Sequence, residues 1–195
     1  MLNQKLKDYK IILASGSPRR QQFFKDLALD FEIRLKEIDE IYPKNLQGVE
    51  ITNYLAQLKA NAFEEEIGAN EILITSDTIV WLNNKALGKP KDYTDAISIL
   101  KSLSNQTHEV ITSVCFKTMT KTETIFDVTK VTFNELSDSA IHYYLETYKP
   151  FDKAGAYGIQ DWIGLVGISK IEGSYTNVVG LPTHLVYHYL NSLKS

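Results

Sequence analysis

Apolar and polar positions along this chain switch repeatedly between two periods. Short apolar runs suited to strands occur at Lys10 to Ala14, Phe31 to Leu35, Glu71 to Ser76, Glu109 to Thr118, Thr124 to Phe133 and Leu165 to Ile171. Stretches with helical spacing lie between them. Ser17 is a good N-cap and Pro18 a good first residue for a helix that turns Phe23, Phe24 and Leu27 inward. From Val49 to Glu65 the residues Ile51, Tyr54, Leu55, Leu58 and Ala62 predict one buried helix face, with Lys59 at its edge. Further helices are expected from about Thr94 to Leu103, from Ser137 or Asp138 to about Thr147 ahead of Pro150, and after Pro182. Turn residues punctuate the pattern at Asn83-Asn84 and Glu172-Gly173-Ser174, and a Gly-rich stretch runs from Ala154 to Gln160. This alternation predicts a layered α/β fold.

Composition narrows the picture. A chain of 195 residues, 44% of them hydrophobic and 23% charged, is long enough for one substantial core and short for two ordinary domains, so residues 1–195 are read as a single domain. Lys plus Arg number 21 against 24 Asp plus Glu, for a net charge of −3, which argues against wholesale binding to a nucleic-acid backbone. The one cysteine, Cys115, lies in the apolar run Val110 to Phe116, has no internal disulfide partner and reads as a buried strand residue. No apolar stretch reaches the ~18 residues that span a bilayer, and MLNQKLKDYK lacks the apolar core of a signal peptide. A cytoplasmic protein that binds neither membrane nor nucleic acid is expected.

Several segments carry groups suited to chemistry. Ser15-Gly16-Ser17-Pro18-Arg19-Arg20 sets hydroxyls and two guanidinium groups where a strand becomes a helix, an anion site in outline; a capped helix with two solvated arginines has the same sequence. Asp77 follows an apolar strand and is placed to hold a divalent metal or take a proton from water, or simply to cap the next turn. Glu37, Asp39 and Glu40 offer oxygen ligands of the kind Mg²⁺ prefers, or form a solvated loop. Lys59 and Lys89 read equally as surface lysines, although Gly88 and Pro90 hold Lys89 in a tight setting. Other chemistries find no support: there is no G-x-x-x-x-G-K-[ST] loop and no G-x-S-x-G elbow, and His184 and His188 lack the glutamate of H-E-x-x-H.

Taken in order, these segments resemble the Maf family of nucleotide pyrophosphatases over nearly the whole chain. The resemblance rests on Leu13-Ala14-Ser15-Gly16-Ser17-Pro18-Arg19-Arg20, Ile38-Asp39-Glu40, Leu58-Lys59-Ala60, Ser76-Asp77-Thr78-Ile79-Val80 and Leu87-Gly88-Lys89-Pro90, followed by the segments from Asp152 to Gln160 and from Gly173 to Pro182. It implies an elongated mixed β-sheet flanked by helices, in two lobes with the nucleotide in the cleft between them. It also implies hydrolysis between the α and β phosphates with Mg²⁺ or Mn²⁺. By motif position, Asp77 becomes the proton acceptor. Ser15, Ser17, Arg20, Glu40, Lys59 and Lys89 become phosphate or metal contacts, with Glu40 and Asp77 as the metal carboxylates. Arg19, Thr78 and Gln160 match the branch that resembles dTTP/UTP pyrophosphatases, and are the expected base-facing residues. The alternatives are action on 7-methyl-GTP or another modified nucleotide, and a non-catalytic nucleotide-binding regulator of division. The implied partner is a nucleoside triphosphate, and a homodimer is compatible with this reading. The chain departs from the family's usual glycines at Asn105, Ser113 and Asp161-Trp162.

Overall fold

A computed structural model of the chain describes residues 2–193. The elements run α1 (Leu2–Lys5), β1 (Lys10–Leu13), α2 (Pro18–Asp26), β2 (Phe31–Ile33), α3 (Val49–Asn61), β3 (Glu71–Leu82), β4 (Lys85–Leu87), α4 (Tyr93–Leu103), β5 (Thr107–Lys117), β6 (Thr122–Phe133), α5 (Asp138–Tyr148), α6 (Trp162–Gly167), β7 (Ile168–Glu172), α7 (Tyr175–Val179) and α8 (Thr183–Ser192). Short 3₁₀ turns cover Glu64–Glu66 and Ala154–Ala156. The seven strands form one mixed sheet in the order β2-β1-β3-β5-β6-β7, with β4 paired to β3. The expected mixed sheet flanked by helices is therefore present.

Chain contacts divide into two compact units: residues 1–77, 112–127 and 180–195 form the first, and residues 78–111 and 128–179 the second. In the first unit, β1 pairs in parallel with β2 and with β3, in register from Lys10↔Glu71 to Leu13↔Ile74. Its central position explains why Ile11, Ile12 and Leu13 are all buried rather than alternating. On one sheet face Leu13, Ile72 and Ile74 pack with Phe24 of α2 and Val186 and Leu190 of α8. On the other, Ile12 and Leu73 pack with Ala56 and Ala60 of α3. Cys115 is buried there, as its apolar run predicts, and is free. The second unit has its own core, in which Val80, Val110, Val131 and Phe133 from strands meet Leu100 of α4, Ile141 and Tyr144 of α5, and Tyr157 and Ile163.

Three sequence expectations change. The buried face of α3 is rotated: Tyr54 is exposed and Leu58 half-buried, while Thr52, Ala56 and Ala60 are buried. Small alanines permit close approach to the sheet, and Thr52 is satisfied by the Ser113 hydroxyl at 2.7 Å, so size and hydroxyl partners override hydropathy. Ser113 also donates to Asn53 Oδ1 at 2.7 Å, which gives this residue a structural purpose. Next, β3 does not stop at Ser76 but continues through Asp77 to Leu82 and turns at Asn83 and Asn84, both at positive φ, into antiparallel β4. Lastly, the strand expected from Leu165 to Ile171 is divided, its first residues belonging to α6 and the rest to β7. Asn105 stands at φ 54°, a conformation that asparagine tolerates better than most residues.

Candidate active site

The first unit builds its polar site where β1 gives out. Ala14 N–H still bonds the Ile74 carbonyl, after which the chain leaves the sheet through Ser15 and Gly16 and enters α2. The open end of a parallel strand beside a helix N-terminus is where α/β sheets bind ligands. The buried Ser15 Oγ accepts from Ser17 N–H at 3.3 Å, and Ser17 Oγ accepts from Arg20 N–H at 3.5 Å. These contacts fix the corner and orient the start of α2, as the capping pattern predicts. Arg20 is fixed more firmly still: Nε donates to the Gly180 carbonyl at 2.8 Å and Nη1 to the Ser76 carbonyl at 3.0 Å. Gly180 sits at φ 125°, open to glycine and strained for other residues. Its place in the Gly173 to Pro182 segment was the only sequence signal for this clamp, and nothing there named Arg20 as the partner.

Strand β3 brings Asp77 onto the face that α3 covers. Thr75 lies on that same face, its Oγ1 donating to the Ala56 carbonyl at 2.6 Å. Asp77 is buried, and its Oδ1 accepts from Lys59 Nζ at 2.6 Å. The same ammonium lies 3.0 Å from Glu40 Oε1, with Glu40 about half exposed. The rotation of α3 is what turns Lys59 toward the sheet. Burial pushes the Asp77 carboxyl up from its ordinary pKa, against the opposing pull of Lys59 and Arg20 and with a smaller upward push from Glu40. Burial likewise lowers the pKa of Arg20, opposed by Asp77, but an arginine remains charged at any physiological pH. Glu40, Lys59, Asp77 and Arg20 therefore form one electrostatic group, with Ser15 and Ser17 at its corner. Arg19 is half-buried in the first turn of α2. Glu37 and Asp39 are exposed, and the ion partners of Lys59 among the described residues are Glu40 and Asp77.

The remaining predicted residues belong to the second unit. Thr78 is half-buried in β3, while Lys89 is exposed at a bend after β4. Gly155 N–H donates to the Gly88 carbonyl at 3.1 Å, tying the lysine bend to the Gly-rich segment. Gln160 is exposed at the far end of that segment, whose Tyr157 and Ile159 are buried. Tyr157 Oη lies 2.7 Å from Nε2 of the buried His108, whose pKa is pushed down to about 4 by burial, so the imidazole is neutral. Sequence reasoning overlooked this pair, because a histidine inside an apolar strand gives no local sign of its partner.

A family model described as Maf-like protein matches residues 10–193, which takes in both units. The chain belongs to the Maf-like family. Among relatives of this Maf-like chain, a protein of Flavobacterium psychrophilum named dTTP/UTP pyrophosphatase is 70% identical over 97% of this chain and 97% of its own length. One of the same name from Flavobacterium johnsoniae is 70% identical over 99% of this chain and 100% of its own. Another, from Bacteroides fragilis, is 49% identical over 95% and 96% respectively.

The donor set bears on the metal that the family resemblance implies. Among the described residues no group of three or more His, Cys, Asp and Glu side chains is gathered as a cation site. Glu40 and Asp77 instead share Lys59. Two carboxylates fit Mg²⁺, which is commonly held by one or two of them together with substrate phosphates rather than in an all-protein cage.

Proposed function

We propose that this chain hydrolyses dTTP and UTP at the bond between the α and β phosphates, yielding the monophosphate and pyrophosphate. The observation that carries the reading is the buried Asp77 carboxylate paired with Lys59 beside Arg20, in a chain 70% identical to relatives named for this activity. Asp77 takes the proton of a water whose oxygen attacks the α phosphorus, and the bond to the bridging oxygen breaks so that pyrophosphate leaves. A carboxylate with a raised pKa is a stronger base than an exposed one. Lys59 holds it oriented and limits that rise. Arg20, held by two main-chain carbonyls, offers fixed positive charge to the phosphates, and Lys89 adds a mobile one. A divalent cation held by Glu40 and Asp77 would neutralise phosphate charge and polarise the phosphoryl oxygen. Arg19, Thr78 and Gln160 read the base. Gln160 can both donate and accept, which suits the O4 and N3–H edge of uracil and thymine. The buried, unpaired Cys115 suits a cytoplasmic location.

Product analysis on a nucleotide panel tests this reading. With Mg²⁺ or Mn²⁺, UTP and dTTP should give monophosphate and pyrophosphate ahead of 7-methyl-GTP and the common purine triphosphates, and chelation should stop the reaction. Inorganic phosphate with a diphosphate product would place the chemistry at the wrong bond. A panel led by 7-methyl-GTP would overturn the base assignment alone, and binding without turnover would favour a regulator.

A further inference from the structure

Gln160 occupies a turn whose two corners are held by one phenol. Asp161 N–H donates to the Gly158 carbonyl at 3.0 Å, closing a four-residue turn with Ile159 and Gln160 at its centre. Ile159 is buried and Gln160 exposed, so the turn is anchored through one central residue and presents the other. The Oη of Tyr144, a fully buried residue of α5, accepts from Gly158 N–H at 3.0 Å and donates to Asp161 Oδ2 at 2.7 Å. Asp161 is also the N-cap residue of α6, yet its side chain makes no capping hydrogen bond; the carboxylate is turned to Tyr144 instead. Aspartate at an N-cap ordinarily bonds the helix's own first amides, so this orientation forgoes a local contact for the tyrosine. The turn is also tight: a Cβ at Gly158 would fall 2.6 Å from Asp161 Oδ2 and 2.9 Å from Gln160 Nε2.

We propose that Tyr144 and Asp161 are positioning residues for base selection, locking the Gly158–Asp161 turn so that the Gln160 amide is held in one orientation. This rests on Gln160 reading the base, as set out above. Neither side chain needs to touch the nucleotide; both act by limiting the orientations of a flexible amide, whose hydrogen bonds discriminate only when they are preorganised.

The test is kcat/KM for UTP and for GTP in the full chain, with melting temperatures alongside. Tyr144→Phe keeps the ring and its packing on Tyr148 but loses both hydrogen bonds. It should lower the UTP-to-GTP ratio by roughly tenfold, the scale of one lost hydrogen-bonding interaction. Asp161→Asn retains an oxygen for the phenol and should keep most of the ratio, whereas Asp161→Ala should lose it. In a Gln160→Ala background, Tyr144→Phe should change the ratio no further. If Gln160→Ala lowers the ratio but Tyr144→Phe only lowers the melting temperature, or if the two effects add in the double variant, positioning is refuted while base reading stands. If Gln160→Ala leaves the ratio unmoved, the base-reading role fails and this inference with it.

Discussion

The corner around Asp77 and the turn that carries Gln160 are both small polar structures mounted on buried apolar strands and helices, but they are held by different forces. At the corner the fastening is charge: Lys59 joins Asp77 to Glu40, and Arg20 is pinned by the carbonyls of Ser76 and Gly180. At the turn it is neutral or singly charged hydrogen bonding: Tyr144 accepts from Gly158 N–H and donates to Asp161, and beside them Tyr157 is bonded to a neutral His108. Under the proposed function, the first kind of fastening suits phosphate chemistry and the second suits base choice. A triphosphate is bound and activated by opposing charges that can redistribute as bonds break, whereas a pyrimidine edge is told from other bases by fixed donors and acceptors.

The comparison breaks most visibly at Asp77. Asp77→Asn preserves size and a hydrogen-bonding oxygen for Lys59 but removes proton affinity, so turnover should fall about 100-fold or more with the fold intact by circular dichroism. Near-normal turnover would make Asp77 a strand residue with no catalytic part. Next in size, Gln160→Ala should erode the pyrimidine preference by about 1 to 3 kcal/mol, read as the ratio of kcat/KM for UTP and GTP.

Lys59→Met sharpens the charge side. Burial raises the Asp77 pKa and Lys59 opposes that rise, so the acid limb of kcat/KM should lie above the ordinary carboxylate range and move to still higher pH in the variant. The sign for stability follows. The folded state binds the Asp77 proton more tightly than the unfolded chain does. This contribution is therefore full below the ordinary carboxylate pKa and is lost as pH rises toward the raised one. Melts of metal-free Lys59→Met protein across pH should show that loss extending to higher pH than in the parent; an unchanged profile would detach Lys59 from Asp77. Smallest of all, Lys89→Ala should lower activity yet leave unfolding free energy within about 0.5 kcal/mol, because Lys89 is exposed.

What was legible in the sequence follows from the range of the forces involved. The Ser17 cap, the first residue Pro18, the Asn83-Asn84 turn and the end of α5 before Pro150 are local choices of backbone and cap, and all lie where residue type places them. The rotation of α3 was not legible, because Thr52 and Ala56 are buried by partners on β5 and β3 that no local period encodes. The continuation of β3 through Asp77 was hidden for a related reason. A buried carboxylate inside a strand is costly unless a charged or hydrogen-bonding partner meets it, and here the partner, Lys59, arrives from a different element. The same holds for Tyr144 and Asp161: both were visible as residues, but their bond joins the body of α5 to the cap of α6.

The proposed division of labour is tested most directly by one experiment, steady-state kinetics of Asp77→Asn and Gln160→Ala on the same panel of UTP, dTTP, GTP and 7-methyl-GTP. Asp77→Asn should lower kcat by a similar factor for every nucleotide and leave their order unchanged. Gln160→Ala should flatten the order while leaving kcat for the poorest substrate near its original value. If Asp77→Asn reorders the substrates, or Gln160→Ala lowers kcat uniformly across them, chemistry and base choice do not rest on separate residues.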